Sequence, residues 1–210
     1  SGLSVAGLFD SNGDGVLEDT IETVGTFDEE WREGKASSNQ DAPENRLYTS
    51  RVPADLDAWP DEFRVNGEPK VFGQEDIVTM YTDIGGPVNV AAGSKRLGVE
   101  TYQRVKLFSV TSQKDIMYVE WRFKNVSEFV NEDINGDGSV DVVGPYEIKD
   151  MLAIVNTDFD IGDADDDRAA VSPSQNMAIY WDTDFSEGNF TNPVGFLGIK
   201  FLDSPSQVGR

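Results

Sequence analysis

Cysteine and histidine are both absent from the 210 residues of this chain. Disulfides and thiol nucleophiles are therefore excluded, as are imidazole bases and nearly all zinc or copper chemistry. A chain without cysteine fits a cytosolic protein, or a secreted protein that metal ions stabilise in place of disulfides. Because the chain does not begin with Met and opens on a strand-like segment, we expect it to be part of a longer polypeptide.

Positive charge is also scarce, with 17 Lys and Arg against 39 Asp and Glu and a net charge of −22. Nucleic-acid binding needs clustered cations that displace counterions, so this balance argues against it. No apolar run approaches the ~20 residues that cross a bilayer, so membrane insertion is not expected. The charge favours divalent cations or basic partners. Hydrophobic residues at 38% and aromatic residues at 10% suffice for a packed core.

No segment shows a 3.6-residue apolar stripe with caps at both ends. Apolar residues alternate instead, most clearly over Met117–Lys124, which is typical of a strand with one buried face. We therefore predict an all-β fold, an antiparallel β-sandwich of jelly-roll or Ig-like type, with eight or nine strands in a single domain over 1–210. Short helical turns are expected at Asp28–Gly34 and Ala54–Trp59, and an exposed loop at Gly34–Asn45. The other predicted strands are Leu3–Leu8, Arg46–Ser50, Lys70–Phe72, Ile77–Thr82, Val99–Val110, Tyr146–Asp158, Met177–Asp182 and Phe196–Leu202.

Two segments share the pattern D-x-N-x-D-G-x-x-acid. A hard cation such as Ca²⁺ takes six to eight oxygens, and alternate side chains of a tightly curled loop can point inward together to supply them. The glycine at the sixth position permits the sharp turn, and the carbonyl of the seventh residue adds another oxygen. The predicted ligands are Asp10, Asn12, Asp14, Val16 and Glu18 in the first loop, and Asp133, Asn135, Asp137, Ser139 and Asp141 in the second.

These loops differ from an EF-hand because the twelfth position is Ile21 in one and Gly144 in the other, where a bidentate Glu is required. They resemble the shorter calcium loops of dockerin-like and thrombospondin-type repeats. A last ligand would then come from elsewhere, with Asp19, Glu22 and Glu132 as candidates. The alternative is that Asn-Gly and Asp-Gly simply form hairpin turns. Because two matches share three alternating oxygens, calcium is the favoured interpretation. The second loop lies in a predicted insertion over 125–144.

A third acidic cluster, Asp158–Asp167, follows a predicted strand. Its closely spaced carboxylates repel one another unless water or a cation separates them. Two interpretations stay open here. The cluster is either a solvated acidic loop or a further cation site completed by Asp182 and Asp184.

Signs of an active site are weak. Carboxylates are so plentiful that a pair suitable for glycoside hydrolysis carries little information, and no phosphate-binding loop is present. Asp57, Asp61 and Glu62 surround Trp59, but such a tryptophan is more often a core anchor than a sugar contact. We predict that the chain is not an enzyme.

Several short segments, taken in order, carry a resemblance to a known kind of module. They are Gly2–Leu8, Glu30–Gly34, Tyr48–Val52, Asp57–Pro60, Asp76–Asp83, Leu97–Glu100, Met117–Lys124, Asp158–Gly162, Asp165–Asp167, Val194–Phe196 and Phe201–Pro205. Together they resemble a β-sandwich module of large secreted or surface proteins of Bacteroidetes, Ignavibacteria and Rhodothermus-like bacteria. Such proteins often carry a C-terminal domain for type IX secretion. The module has no assigned catalytic activity, so the resemblance implies an extracellular or cell-surface location more than a function.

Three functions remain in view. The first is a calcium-stabilised, non-catalytic structural or adhesive module, with calcium, other surface proteins or further copies of itself as partners. The second is a carbohydrate-binding module in which Trp31, Trp59 and Tyr102 form a polysaccharide platform. The third is a glycan-active enzyme, which requires two carboxylates facing each other across a cleft.

Overall fold

A computed structural model describes residues 2–10, 16, 22–24, 31–39, 41–85, 96–133, 137–140, 142–157, 159, 161, 165–184 and 195–203. Within these residues helix is confined to α1 (Pro53–Asp57) and three short 3-10 turns at Asp61–Phe63, Ser127–Phe129 and Pro173–Gln175.

The predicted all-β fold with antiparallel sheets is therefore confirmed, and the sandwich arrangement stays a prediction. The strands are β1 (Gly2–Leu8), β2 (Glu22–Val24), β3 (Arg32–Glu33), β4 (Tyr48–Thr49), β5 (Arg64–Val65), β6 (Glu68–Pro69), β7 (Glu75–Thr82), β8 (Val99–Leu107), β9 (Met117–Asn125), β10 (Asn131–Glu132), β11 (Val142–Val143), β12 (Lys149–Asn156), β13 (Asp167–Ser172), β14 (Met177–Asp182) and β15 (Phe196–Lys200).

The chain divides into two compact units, Ser4–Leu152 and Ser1–Leu3 with Ala153–Arg210. The larger unit contains a five-stranded sheet in the order β3-β7-β8-β9, with β4 also paired to β7. The smaller unit contains a three-stranded sheet in the order β13-β14-β15. A further sheet has the order β12-β1-β2, and the boundary between the units falls within β1 and β12. The single-domain prediction stays a prediction.

The five-stranded sheet follows from the alternating residues of its long strands. Along β7 the buried residues are Asp76, Val78, Met80 and Thr82, and the residues between them are half-buried. Against this buried face lies the segment from α1 to the 3-10 turn at Asp61–Phe63. Its Trp59, between the two, and Phe63 pack with Tyr48, Val78, Met80 and Tyr102. The period of two thus gives the sheet one buried face, whose apolar residues Val78 and Met80 pack against the segment that contains α1.

A second core cluster lies where β1 meets the strand ends of the larger unit. It consists of Val5, Phe9, Leu97, Val99 and Val130, and Phe9 stacks on Tyr146 with ring centroids 4.3 Å apart. Val130 belongs to the predicted insertion over 125–144, so part of that segment contributes to the core. Whether the segment is an insertion stays a prediction.

Buried carboxylates hold the loops of this unit in place. Asp83, which is almost fully buried, accepts hydrogen bonds from the amides of Gly98 and Val99, both at 2.8 Å. Burial raises the pKa of the Asp83 carboxyl, although these amide donors and Arg96 act in the opposite direction. The start of β8 is therefore fixed to the end of β7 by one side chain.

Most predicted strands were correct, and two predictions of local structure were wrong. Lys70–Phe72 forms no strand, because the amides of Phe72 and Gly73 bind the Asp76 carboxylate at 3.1 and 2.7 Å instead. The helical turn predicted at Asp28–Gly34 is contradicted by β3, while residues 28–30 lie outside the described part. The predicted number of eight or nine strands was also too low, because the described residues form fifteen. The strands that were not predicted are β2, β3, β5, β6, β10, β11 and β13. The predicted loop over Gly34–Asn45 contains no strand among its described residues.

Candidate metal centre

Three aspartates meet at the end of the β13–β14 pair. Asp182 is the last residue of β14 and lies opposite Asp167 in the antiparallel register, Asp166 immediately precedes β13, and Asp184 follows two residues after Asp182. One carboxylate oxygen from each of Asp166, Asp182 and Asp184 lies within 4.8 Å of the others. We call these three residues the aspartate cluster.

The aspartate cluster is graded in exposure, with Asp182 fully buried, Asp166 half-buried and Asp184 exposed. The amide of Asp184 donates to Oδ1 of Asp182 at 2.8 Å across the bend that follows the strand. The Thr183 hydroxyl and the Arg168 guanidinium both donate to the Asp166 carbonyl. These contacts fix the backbone on both sides of the cluster and leave it open toward Asp184.

All of these side chains offer oxygen, which is the ligand type that hard cations such as Ca²⁺ and Mg²⁺ prefer. Three carboxylates this close repel one another, and the attraction of each to a divalent cation between them would offset that repulsion. Ca²⁺ takes six to eight oxygens, so the cluster could supply about half of its coordination and water the rest.

The sequence anticipated part of this cluster. Asp182 and Asp184 were proposed to complete a cation site with the acidic run Asp158–Asp167, and Asp166 is the member of that run that lies beside them. Asp158, Asp160 and Asp163 lie outside the described residues, and Asp165 is exposed. Asp166 itself was not singled out, because neighbouring aspartates in a run cannot be told apart before the strand register is known.

The second predicted calcium loop lies between β10 and β11. Oδ1 of Asp133 accepts from the amide of Asp137 at 3.2 Å and Oδ2 from the amide of Gly138 at 2.7 Å. Oδ1 of Asp137 accepts from the amide of Ser139 at 2.8 Å, and Gly138 has a φ of +88°. Such a curled loop brings alternate oxygens to one side, but it is also what a plain turn with an aspartate cap forms.

The remaining predicted ligands are placed only in part. Asn135 and Asp141 of the second loop lie outside the described residues, as do Asn12, Asp14 and Glu18 of the first. In the first loop Asp10 is half-buried just after β1, and Val16 is exposed. Both calcium loops therefore stay predictions.

The aromatic residues considered for sugar binding do not form a platform. Trp59 and Tyr102 are 2% and 8% exposed and belong to the core beneath the five-stranded sheet. Trp31 is half-buried and meets Tyr81 edge-on, with an interplanar angle of 80°. A sugar ring needs exposed, roughly coplanar rings, so these three residues do not serve that purpose together.

Comparison with known proteins found no matching family model, no matching curated protein and no matching solved structure. Among the described residues, no helix is both long and apolar enough to span a bilayer.

Proposed function

We propose that this chain is a calcium-stabilised, non-catalytic module of a secreted or cell-surface bacterial protein, with a structural or adhesive role. The observation that carries this proposal is the aspartate cluster, whose three carboxylate oxygens lie within 4.8 Å of one another. The resemblance to a β-sandwich module of bacterial surface proteins supports the location. We also propose that the sheets pack as a sandwich.

The energetics suit an extracellular setting. An ion that binds only the folded state stabilises it by RT ln(1 + [L]/Kd), about 2.7 kcal/mol at a hundredfold excess over Kd. Extracellular modules use weak sites with Kd of ~10⁻⁴–10⁻³ M, because calcium is plentiful there. In a chain without cysteine such sites would supply the cross-links that disulfides otherwise provide.

Calcium binding to matched variants tests the proposal. We expect isothermal titration of the chelator-treated protein to show bound Ca²⁺, with one site fewer in Asp182→Asn and one fewer in Asp137→Ala. Asp57→Asn, an exposed residue on α1, is the control and should keep every site. Titration with Mg²⁺ in place of Ca²⁺ separates a calcium site from a general cation site. No heat and no bound ion at millimolar Ca²⁺ would remove calcium from the function.

The location has its own test. Protease treatment of intact cells of the source bacterium should release or cleave the protein if it is displayed on the surface. A protein that survives on intact cells and is cleaved only after lysis would contradict this part of the proposal.

A further inference from the structure

Strand β9 is an edge strand nine residues long. It pairs with β8 on one side from Val99↔Asn125 to Leu107↔Met117, and among the described residues no strand pairs with its other side. An edge of this length presents a row of backbone donors and acceptors that can template another strand. Such an edge is either blocked against further pairing by its own side chains or paired with another strand.

The side chains of β9 alternate in a way that is self-complementary. One face carries Tyr118, Glu120, Arg122 and Lys124, and the other carries Met117, Val119, Trp121 and Phe123. When the strand is laid antiparallel against a copy of itself with Trp121 opposite Trp121, Glu120 faces Arg122 of the copy and Val119 faces Phe123. Because the arrangement is two-fold symmetric, each of these pairs forms twice.

Neighbouring registers lack this match. Centring the pair on residue 120 places Glu120 opposite Glu120. Centring it on residue 122 places Arg122 opposite Arg122, although Glu120 then faces Lys124 of the copy. A shift that pairs odd with even positions sets the apolar face of one strand against the charged face of the other. Of the registers centred on residues 120, 121 and 122, the one centred on Trp121 has no like-charged pair.

Both charged side chains are accessible for such pairing. The side chains of Glu120 and Arg122 are 40% and 48% exposed, and they lie 4.0 Å apart on the same face. Lys106 holds Glu120 at 2.8 Å, and Arg122 donates to the Glu62 carbonyl at 2.8 Å, so both are directed by fixed neighbours. Burial raises the pKa of Glu120, but Lys106, Arg104 and Arg122 outweigh it and hold the pKa below its usual range.

The charge distribution along the chain lets two copies approach here. Residues 32–124 contain 13 of the 17 basic residues and only 14 of the 39 acidic ones, a net charge of −1. The rest of the chain carries the remaining −21. Strand β9 up to Lys124 thus belongs to a nearly neutral stretch of a strongly acidic chain, so this stretch itself adds little to the repulsion between copies.

We propose that two copies of this chain associate through β9, pairing antiparallel about a two-fold axis with Trp121 opposite Trp121. The two five-stranded sheets then join into one, with Glu120–Arg122 pairs on one face and a continuous apolar stripe on the other. This inference goes beyond the proposed function and does not depend on calcium.

Charge reversal tests the proposed register. Sedimentation velocity at physiological ionic strength, over a wide range of protein concentration, should show the wild type shifting from one copy to two. Glu120→Arg and Arg122→Glu should each raise the dimer dissociation constant about tenfold or more, because each replaces two attractive pairs with two repulsive ones. The double variant Glu120→Arg/Arg122→Glu should return it close to the wild-type value.

Two controls keep the test decisive if a variant folds poorly. Lys114→Glu, in the exposed loop before β9, makes the same charge change as Arg122→Glu and should leave association unchanged. Hydrogen exchange on the wild type needs no variant, and β9 amides should gain protection as concentration rises. A wild type that stays a single copy at every concentration would overturn the proposal. So would equal weakening by Lys114→Glu, a folded double variant as weak as the single ones, or β9 protection that is independent of concentration.

Discussion

Asp55 and Arg46 form an ion pair in which Nη1 of Arg46 lies 2.7 Å from Oδ1 of Asp55. The second oxygen of Asp55 accepts a hydrogen bond from the Thr49 amide at 2.9 Å. One carboxylate on α1 thereby fixes both the segment before β4 and the strand itself. The amide of Thr49 and the Arg46 side chain hold the pKa of Asp55 below its usual range.

Because the folded state lowers this pKa, the contribution of Asp55 to stability is present above its unfolded value of about 3.9 and is lost as the pH falls through the folded value. We expect Asp55→Asn to lower stability at neutral pH by about 1–3 kcal/mol and to flatten the acid side of the stability curve. Denaturant unfolding between neutral and acidic pH measures this. Asp57→Asn on the same helix, with an exposed side chain, should keep the wild-type profile. An Asp55→Asn variant with an unchanged acid limb would contradict the assignment.

Leu97 is fully buried in the core cluster beside Val5 and Val99. Leu97→Ala should lower the free energy of unfolding by about 2–5 kcal/mol, since it removes buried methyl groups and leaves a cavity. Leu47→Ala makes the same chemical change at a side chain that is 55% exposed, so it should change stability by about 0.5 kcal/mol or less. Equal effects in chemical denaturation would show that Leu97 is not in the core.

Alanine variants of Gly98 and Gly67 distinguish two causes of lost stability, backbone strain and steric crowding. Both have positive φ, +70° and +82°, but a Cβ on Gly98 would lie 2.6 Å from Cα of Ser127, while nothing lies within 4 Å of one on Gly67. We expect Gly67→Ala to cost about 1–2 kcal/mol from the left-handed backbone alone. Gly98→Ala should cost clearly more, because backbone atoms must move. Thermal melts of the two variants decide this, and equal melting temperatures would contradict it.

Removal of calcium provides a prediction about the whole chain. If ions occupy the proposed sites, chelation should lower the melting temperature by roughly 5–10 °C at a hundredfold excess of ion over Kd. Differential scanning calorimetry with excess EGTA, and again after Ca²⁺ is restored, measures the shift. A melting curve that is identical with and without chelator would show that calcium has no part in the stability of the folded chain.

The sequence predicted the long strands well because their pattern is local. In β9 every second residue from Met117 to Phe123 is apolar, although no residue of the strand is buried, so the one buried face predicted for it was wrong. In β7 burial alternates, but the buried set includes the polar Asp76 and Thr82. The pattern failed at β13, whose Asp-Arg-Ala-Ala start carries little hydrophobic signal and whose pairing with β14 is set by its partner. The strand predicted at Lys70–Phe72 also failed, because the Phe72 amide donates a hydrogen bond to the Asp76 side chain four residues later.

The candidate metal centre was harder to predict, because it depends on which residues a register brings together. The sequence showed an excess of aspartates near Asp158–Asp167 and near Asp182, but only the β13–β14 pairing selects Asp166 as their meeting point. Trp59 and Tyr102 also show that residue type alone does not reveal which side chains the fold buries. Their residue types suit a sugar platform, yet the position of α1 under the sheet makes them core.

The edge of the five-stranded sheet opposite β9 is built differently from β9. It consists of β3 and β4, two residues each, which pair with separate parts of β7 at Tyr81–Thr82 and Ile77–Val78. Such a short and interrupted edge offers no continuous template for an added strand. Strand addition at this sheet would therefore stop once two β9 edges have met, so the five-stranded sheet favours a closed pair over a growing fibre.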